Sequence, residues 1–252
     1  MRIVGVIPAR YDSSRYPGKP LADICGKPMI QHVYERSIKA SRLDRLVVAT
    51  DDSRILNVVE GFAGEALLTR SDHSSGTDRV AEVAGLLGLA EDDVLVNIQG
   101  DEPLVEPVMI ERLIEAMERS PECPMATLAF AGRNEADYRS SNVVKVVVDE
   151  SGRALYFSRS PIPFCRDGSE ESLPFLKHLG FYAYRHGFLK TFTGLAPGKL
   201  ELLEKLEQLR ALEHGYTIQV ALSPVETHGV DTPEDLKRLV GLNKVELGIT
   251  NP

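Results

Sequence analysis

The first half of the chain alternates short apolar runs with segments of helical spacing. Residues 3–7 form an apolar run that stops at Pro8, and residues 30–40 carry apolar positions three and four apart. Residues 45–50 read as a second strand ending at Asp51 and Asp52, with Ser53 placed to cap the next helix. Residues 65–69 read as a short strand, 77–87 as a helix and 94–99 as a buried strand. Pro107 suits the first turn of a helix that reaches about residue 118. This alternation predicts an α/β fold, a mainly parallel central sheet with helices on both faces. Its ligands are expected at the carboxyl ends of the strands.

The rhythm changes after residue 122. Residues 125–130, 143–149 and 154–159 read as strands, with Asp149, Glu150, Ser151 and Gly152 as a hairpin turn between the last two. Residues 179–184 and 218–222 return to strand, and 200–214, rich in Leu and Glu, reads as one helix. Thr232, Pro233 and Asp235 spell a capped helix start. The last few residues carry no periodic pattern. A lone two-stranded ribbon is only marginally stable in water. The hairpin is therefore expected to pack on the main sheet or on a second copy, as a lid or a dimerisation arm, and a homodimer is expected.

Composition narrows the reading. With 252 residues and 43% hydrophobic content the chain can bury the core of one large α/β domain. A net charge of -8 argues against nucleic acid as the main partner. Cys25, Cys123 and Cys165 form no C-x-x-C pair, which disfavours zinc and redox motifs and fits free thiols in a reducing cytoplasm. No stretch approaches the roughly 20 apolar residues of a membrane span, so a cytoplasmic protein is expected.

Against that acidic background, one loop gathers positive charge. Arg10, Arg15 and Lys19 follow the first apolar run within ten residues, with small and turn-forming residues between them. Three cations on one loop repel one another unless an anion such as a triphosphate sits among them. Neither a Walker A loop nor a G-x-G-x-x-G fingerprint is present. A second stretch, residues 94–103, ends a buried strand in Gly100, Asp101 and Glu102, where an acid is well placed to hold Mg2+ on nucleotide phosphates. Capping explains Thr232 and Asp235 but not Asp231, so Asp101 and Asp231 are candidate ligands of one metal or two. Residues 72–79 form a turn feeding a helix, read either as a grip on a base edge or phosphate or as an ordinary cap at Thr77; His73 there is read as structural. Arg159, His178, Tyr182, Glu207 and Gln208 form a scattered polar set, with Arg159 the natural fork for a sugar carboxylate and His178, Gly180 and Tyr182 on one strand face. No nucleophile elbow is present.

These stretches together resemble the sugar-acid cytidylyltransferases, most closely the branch acting on 3-deoxy-manno-octulosonate (Kdo). The resemblance runs from about residue 4 to 239. It is carried by Pro8, Ala9 and Arg10 through Leu21, by Thr50 and Asp51, by Ser75 through Arg79, by Asn97 through Pro103, by Leu155 through Arg159, by His178, Leu179 and Gly180, by Glu207 through Arg210, and by Gly229 through Asp235. It implies a Rossmann-like nucleotide-diphospho-sugar transferase fold with a smaller hairpin-containing dimerisation or lid region. The expected division is a nucleotide-binding half over 1–122, a hairpin and sugar-site insertion over 123–179, and a part over 180–252 completing the sheet and metal site.

The implied reaction is transfer of CMP from CTP to the anomeric hydroxyl of Kdo, with Mg2+, for lipopolysaccharide assembly. By position the resemblance implies that Ala9, Arg10, Ser14, Arg15, Lys19, Gly76, Arg79 and Gln99 bind CTP. It implies that Asp101 and Asp231 bind Mg2+, and that Gln99, Arg159, His178, Tyr182, Glu207 and Gln208 bind the sugar acid. Arg10, Arg15, Lys19, Asp101 and Asp231 would carry catalysis. Tyr16, Asp78, Lys177 and the pair Phe164 and Cys165 depart from the family's usual residues. An enzyme for an 8-amino analogue of Kdo, and a non-catalytic nucleotide-binding regulator on the same fold, remain open alternatives.

Overall fold

The apolar run at the head of the chain becomes a buried strand, β1 (Ile3–Ala9), and a tight 3-10 turn at Lys19–Leu21 closes the loop after it. The computed structural model describes residues 1–12, 16–166 and 174–242, so Ser14 and Arg15 lie outside the described residues. The chain forms two compact units, Met1–Glu111 with the chain from Thr227 on, and Arg112–Glu226.

In the first unit a two-residue ribbon, β2 (Asp23–Ile24) and β3 (Lys27–Pro28), precedes α1 (Met29–Ser37). Then follow β4 (Arg45–Thr50), α2 (Ser53–Gly61), β5 (Ala66–Leu68), α3 (Gly76–Leu86) and β6 (Val94–Asn97). β1 pairs in parallel with β4 on one side and β6 on the other, and β4 pairs in parallel with β5. The α/β alternation and parallel sheet read from periodicity are thus present.

Two caps fall one and two residues earlier than expected. Asp52 rather than Ser53 caps α2, its carboxylate accepting from Arg54 N at 2.8 Å. Ser75 rather than Thr77 caps α3, in a reciprocal box with Asp78. In both places neighbouring residues have capping chemistry, and the one with extended backbone takes the role.

Gly100 shows how tightly the strand ends are joined. A Cβ there would stand 2.7 Å from the carbonyl oxygen of Pro8. Backbone cannot yield as a flexible side chain can. Gly100→Ala is therefore expected to cost about 1–3 kcal/mol, read as a lower urea midpoint at unchanged slope.

α4 (Pro107–Arg119) leads into the second unit, which holds β7 (Met125–Gly132), α5 (Glu135–Arg139), β8 (Lys145–Val148), β9 (Ala154–Ser158) and β10 (Phe175–Arg185). α6 (His186–Gly194), α7 (Lys199–Glu204), α8 (Leu209–Glu213) and β11 (Ile218–Leu222) complete it. β7 pairs antiparallel with β10 and parallel with β11, while β8 and β9 make the expected antiparallel hairpin. Its turn closes through Asp149 N to Arg153 O at 2.8 Å, with Gly152 at positive φ.

The single helix expected over 200–214 is two helices. Lys205 adopts a left-handed conformation, φ 55°, and ends α7. The Glu201–Arg210 pair, bonded at 2.8 and 2.6 Å, then ties α7 to α8. After β11 the chain returns to the first unit, where α9 (Pro233–Leu242) starts as expected, Thr232 and Asp235 exchanging bonds of 3.0 and 3.1 Å. Among the described residues no helix is long and apolar enough to cross a membrane.

Candidate functional site

The basic loop and the acidic strand end meet in the first unit. A small apolar cluster explains why. Ile24 of the ribbon, Met29 of α1, and Val230 and Leu239 beside and within α9 are all buried against one another. That cluster lays residues 228–232 against the loop after β1, and Val230 N donates to Asp101 O at 2.9 Å. Asp101 and Asp231, 130 positions apart in the sequence, therefore carry their carboxylates to one place.

Lys19 lies between them. Its Nζ is 2.7 Å from Asp101 Oδ2 and 3.4 Å from Asp231 Oδ1. The Lys19 side chain is 14% exposed, against 31% and 45% for the two aspartates, so the cluster opens to solvent on the acidic side. Two hard carboxylate oxygens gathered around one cation are the donor set Mg2+ uses when substrate oxygens and water complete its shell. Among the described residues no group of three or more His, Cys, Asp or Glu is placed to hold a metal ion.

The loop's backbone is pinned at Tyr11 and Gly18. Gly18, at φ 71°, donates its N–H to Tyr11 O at 2.8 Å. The Tyr11 ring in turn lies under the Arg54 guanidinium, 3.3 Å from carbon to centroid, and Arg54 is held by Asp52. Sequence reasoning did not find this Tyr11–Arg54–Asp52 stack, because Tyr11 lies 43 positions from Arg54, in a different element. Ala9 is buried at the end of β1, and Arg10 is exposed beside it.

Arg79 is enclosed rather than open. It is 0% exposed, and Nη1 bonds Thr69 Oγ1 and reaches Arg70 O at 3.4 Å, while Nη2 is 3.3 Å from Asp51 Oδ2. It braces the ends of β4 and β5 beneath the turn before α3. Gly76 itself packs loosely, an added Cβ meeting Pro8 only at 3.7 Å. His73 bonds Glu82, consistent with its structural reading. Gln99 is half-buried just past β6, its carbonyl accepting from Glu102 N at 3.2 Å.

The second unit brings His178, Tyr182 and Glu207 together. The His178 and Tyr182 rings are 5.6 Å apart, and Phe157 meets His178 edge-on at 5.0 Å. His178 Nε2 is 2.9 Å from Thr127 Oγ1, whose own proton goes to Phe181 O at 2.8 Å. By that accounting His178 donates through Nε2 and keeps Nδ1 as an acceptor. Enclosure among these rings holds the imidazole neutral, its pKa pushed down to about 3. Burial, and then the Glu207 charge, push the Tyr182 phenol up, so it stays a donor.

The depressed pKa of His178 has a measurable sign. Between pH 3 and about 6.5 the unfolded chain takes up a proton there that the folded chain refuses. The stability this group contributes is full above the unfolded value and falls as pH drops. His178→Gln is expected to lose less stability than the parent between about pH 7.5 and 5, by urea unfolding.

Arg159 is spoken for in a different way. Its Nε donates to Glu204 O at 2.7 Å and its Nη1 to Ser141 O at 3.0 Å, while the Glu204 carboxylate accepts from Arg159 N at 2.9 Å and from Ser158 Oγ at 2.6 Å. Fully buried Lys145, missed from the sequence, donates to Arg159 O at 2.6 Å and to Ser140 O and Val143 O; burial lowers its pKa. Gln208 is 4% exposed with its amide nitrogen unbonded among protein atoms. A separate groove of about 770 Å³ in this unit, lined by Arg112, Asp149, Gln219 and Leu222 among others, contains none of the candidate sugar residues.

Comparison with known proteins places these features in a lineage. A family model described as cytidylyltransferase matches residues 4–218. A 3-deoxy-manno-octulosonate cytidylyltransferase of Syntrophobacter fumaroxidans is 68% identical over 240 residues, covering 95% of this chain and 96% of the relative. An 8-amino-3,8-dideoxy-manno-octulosonate cytidylyltransferase of Shewanella halifaxensis is 55% identical over 238 residues, covering 94% and 96%. A solved structure of CMP:2-keto-3-deoxy-manno-octonic acid synthetase complexed with CTP superposes with a TM-score of 0.91 at 45% identity, covering 98% of this chain and 100% of the other.

Proposed function

The chain belongs to the cytidylyltransferase family, and from that premise we propose that it transfers CMP from CTP to the anomeric hydroxyl of Kdo, releasing pyrophosphate and giving CMP-Kdo for lipopolysaccharide assembly. The observation that carries the chemistry is the meeting of Lys19, Asp101 and Asp231 at the ends of β1 and β6. The identity of the sugar rests on the 68% relative.

The first unit supplies the nucleotide groups. Arg10, Arg15 and Lys19 hold the triphosphate and stabilise the departing pyrophosphate, as fixed cations do in phosphoryl transfer. Ala9, Ser14, Gly76 and Gln99 line the nucleotide, and Arg79 supports it from below. Asp101 and Asp231 fit Mg2+ by their donor chemistry, and the bound ion would neutralise the α-phosphate and lower the pKa of the attacking hydroxyl. The second unit supplies the sugar-acid groups. Arg159, His178, Tyr182, Glu207 and Gln208 orient the sugar. A neutral His178 that donates through Nε2 keeps Nδ1 as an acceptor for a hydroxyl, and Gln208 offers a buried amide donor. Catalysis is positioning plus electrostatics, without a protein nucleophile.

A homodimer and a cytoplasmic location complete the proposal, with exposed Leu155, Phe164 and Leu203 in the second unit offering apolar side chains to a contact between copies. The test of function is pyrophosphate release with Mg2+ across the four nucleoside triphosphates, each with Kdo, 8-amino-Kdo, sialic acid or no sugar. Release confined to CTP with Kdo is expected. Release with CTP and 8-amino-Kdo alone moves the substrate to the sugar of the Shewanella relative, and no release with any pair overturns the enzyme reading.

A further inference from the structure

We propose that Lys19 is the resident counter-cation of the Asp101–Asp231 pair, and that it gives up this place to the divalent cation while moving its charge to the nucleotide's phosphates. The inference rests on the reading of Asp101 and Asp231 as metal ligands.

The backbone segments that carry the two carboxylates are tied together, and the ammonium is the part free to leave. On the acidic side, the Val230 N to Asp101 O bond and the buried Val230 side chain stitch the two aspartate-bearing segments together. On the basic side, the Lys19 backbone is held at both flanks. Gly18 N bonds Tyr11 O at 2.8 Å, Leu21 N bonds Gly18 O at 2.8 Å, and Pro20 is buried. What remains adjustable is the four-carbon side chain, which ends in a point charge with three donors and no fixed geometry.

Charge explains why that side chain rests where it does. Two carboxylates drawn together in a partly enclosed place repel, and an ammonium 2.7 and 3.4 Å from them relieves the repulsion. The same oxygens cannot serve an ammonium at that distance and a divalent cation at once without setting two positive charges side by side. The triphosphate removes the conflict, because it gives Lys19 another anion to hold. In the nucleotide-free protein, then, Lys19 competes with the metal. With nucleotide present both cations have partners, and metal and nucleotide enter together.

The test is Mn2+ binding to the nucleotide-free, full-length protein, followed by the loss of the free-ion electron paramagnetic resonance signal. It compares the parent with Lys19→Met, Lys19→Gln and Asp101→Asn, and with the Lys19→Met/Asp101→Asn double variant. Two uncharged replacements keep the measurement alive if one of them fails to fold, which far-UV circular dichroism reports. Removal of the competing charge is expected to tighten Mn2+ binding about tenfold or more, and Asp101→Asn is expected to erase that gain. A purely structural lysine would weaken or leave unchanged the same binding. If Asp101→Asn weakens Mn2+ binding while both lysine variants bind as the parent does, the exchange is overturned and the metal site stands. If Asp101→Asn changes nothing, the metal assignment itself is overturned, and the exchange with it.

Discussion

Asp101→Asn is expected to reduce turnover by about 10³-fold or more while leaving the fold intact. The two halves of that expectation have separate origins. The fold survives because what Asp101 gives the scaffold is its backbone carbonyl, which accepts from Val230 N at 2.9 Å and is unchanged in asparagine. Asparagine also keeps the volume of the side chain. Turnover is expected to fail because one of the two proposed carboxylate ligands becomes a neutral amide, and the Lys19 ammonium keeps only the Asp231 carboxylate at 3.4 Å. Asp231→Asn should fall to a similar level, and the double variant should fall little further, because groups that act as one unit are not additive. The measurement is initial pyrophosphate release at saturating CTP and Kdo beside a thermal melt. A single variant that keeps near-parent turnover would sink the two-aspartate assignment.

Much of this site was legible in the sequence for one physical reason. In a parallel sheet the buried strands read as unbroken apolar runs, and the polar residues that end them point to where ligands bind. Asp101 and the cations of the loop after β1 were singled out by that rule, while Asp231 was the acid that the cap of α9 leaves over, and its reading as a metal ligand came mostly from the family resemblance. What was not legible depends on contacts between distant segments. The Leu and Glu spacing of residues 200–214 continues across Lys205 as though one helix ran through it. The break appears only with the Glu204 carboxylate on Ser158 and Arg159 and the Glu201–Arg210 pair. β10 begins at Phe175, earlier than its alternation suggests, because a register shift between Leu179 and Tyr182 interrupts the period of two. The β2–β3 ribbon is two residues a side, too short to leave any periodicity. Lys145 was passed over because a lysine in a strand normally reads as solvent-facing, whereas this one is buried under three carbonyls.

Arg79 separates a scaffold role from a ligand role more sharply than any other residue in the first unit. The resemblance places it near the base and ribose, yet its guanidinium is wholly enclosed: Nη1 bonds Thr69 and Arg70, Nη2 is 3.3 Å from Asp51, and Nε and Nη2 make no hydrogen bond among protein atoms. Removing one partner of an enclosed pair leaves the other charge uncompensated. Arg79→Met is therefore expected to cost about 3 kcal/mol, which for a chain of this length lowers the melting temperature by roughly 6–12 °C. Asp51, 19% exposed at its side chain, retains some contact with water, so Asp51→Asn should cost less. Arg79→Lys should fall between the two, since a point charge replaces the planar fork that reaches Thr69 and Asp51 together. CTP affinity is expected to fall in parallel with stability across this series, because the turn leading into α3 loses its brace in proportion. Calorimetric melts with and without CTP measure both quantities on the same samples. Parent-like stability with lost CTP affinity in Arg79→Met would mean that the guanidinium serves the nucleotide directly and that its enclosure is relieved when CTP binds.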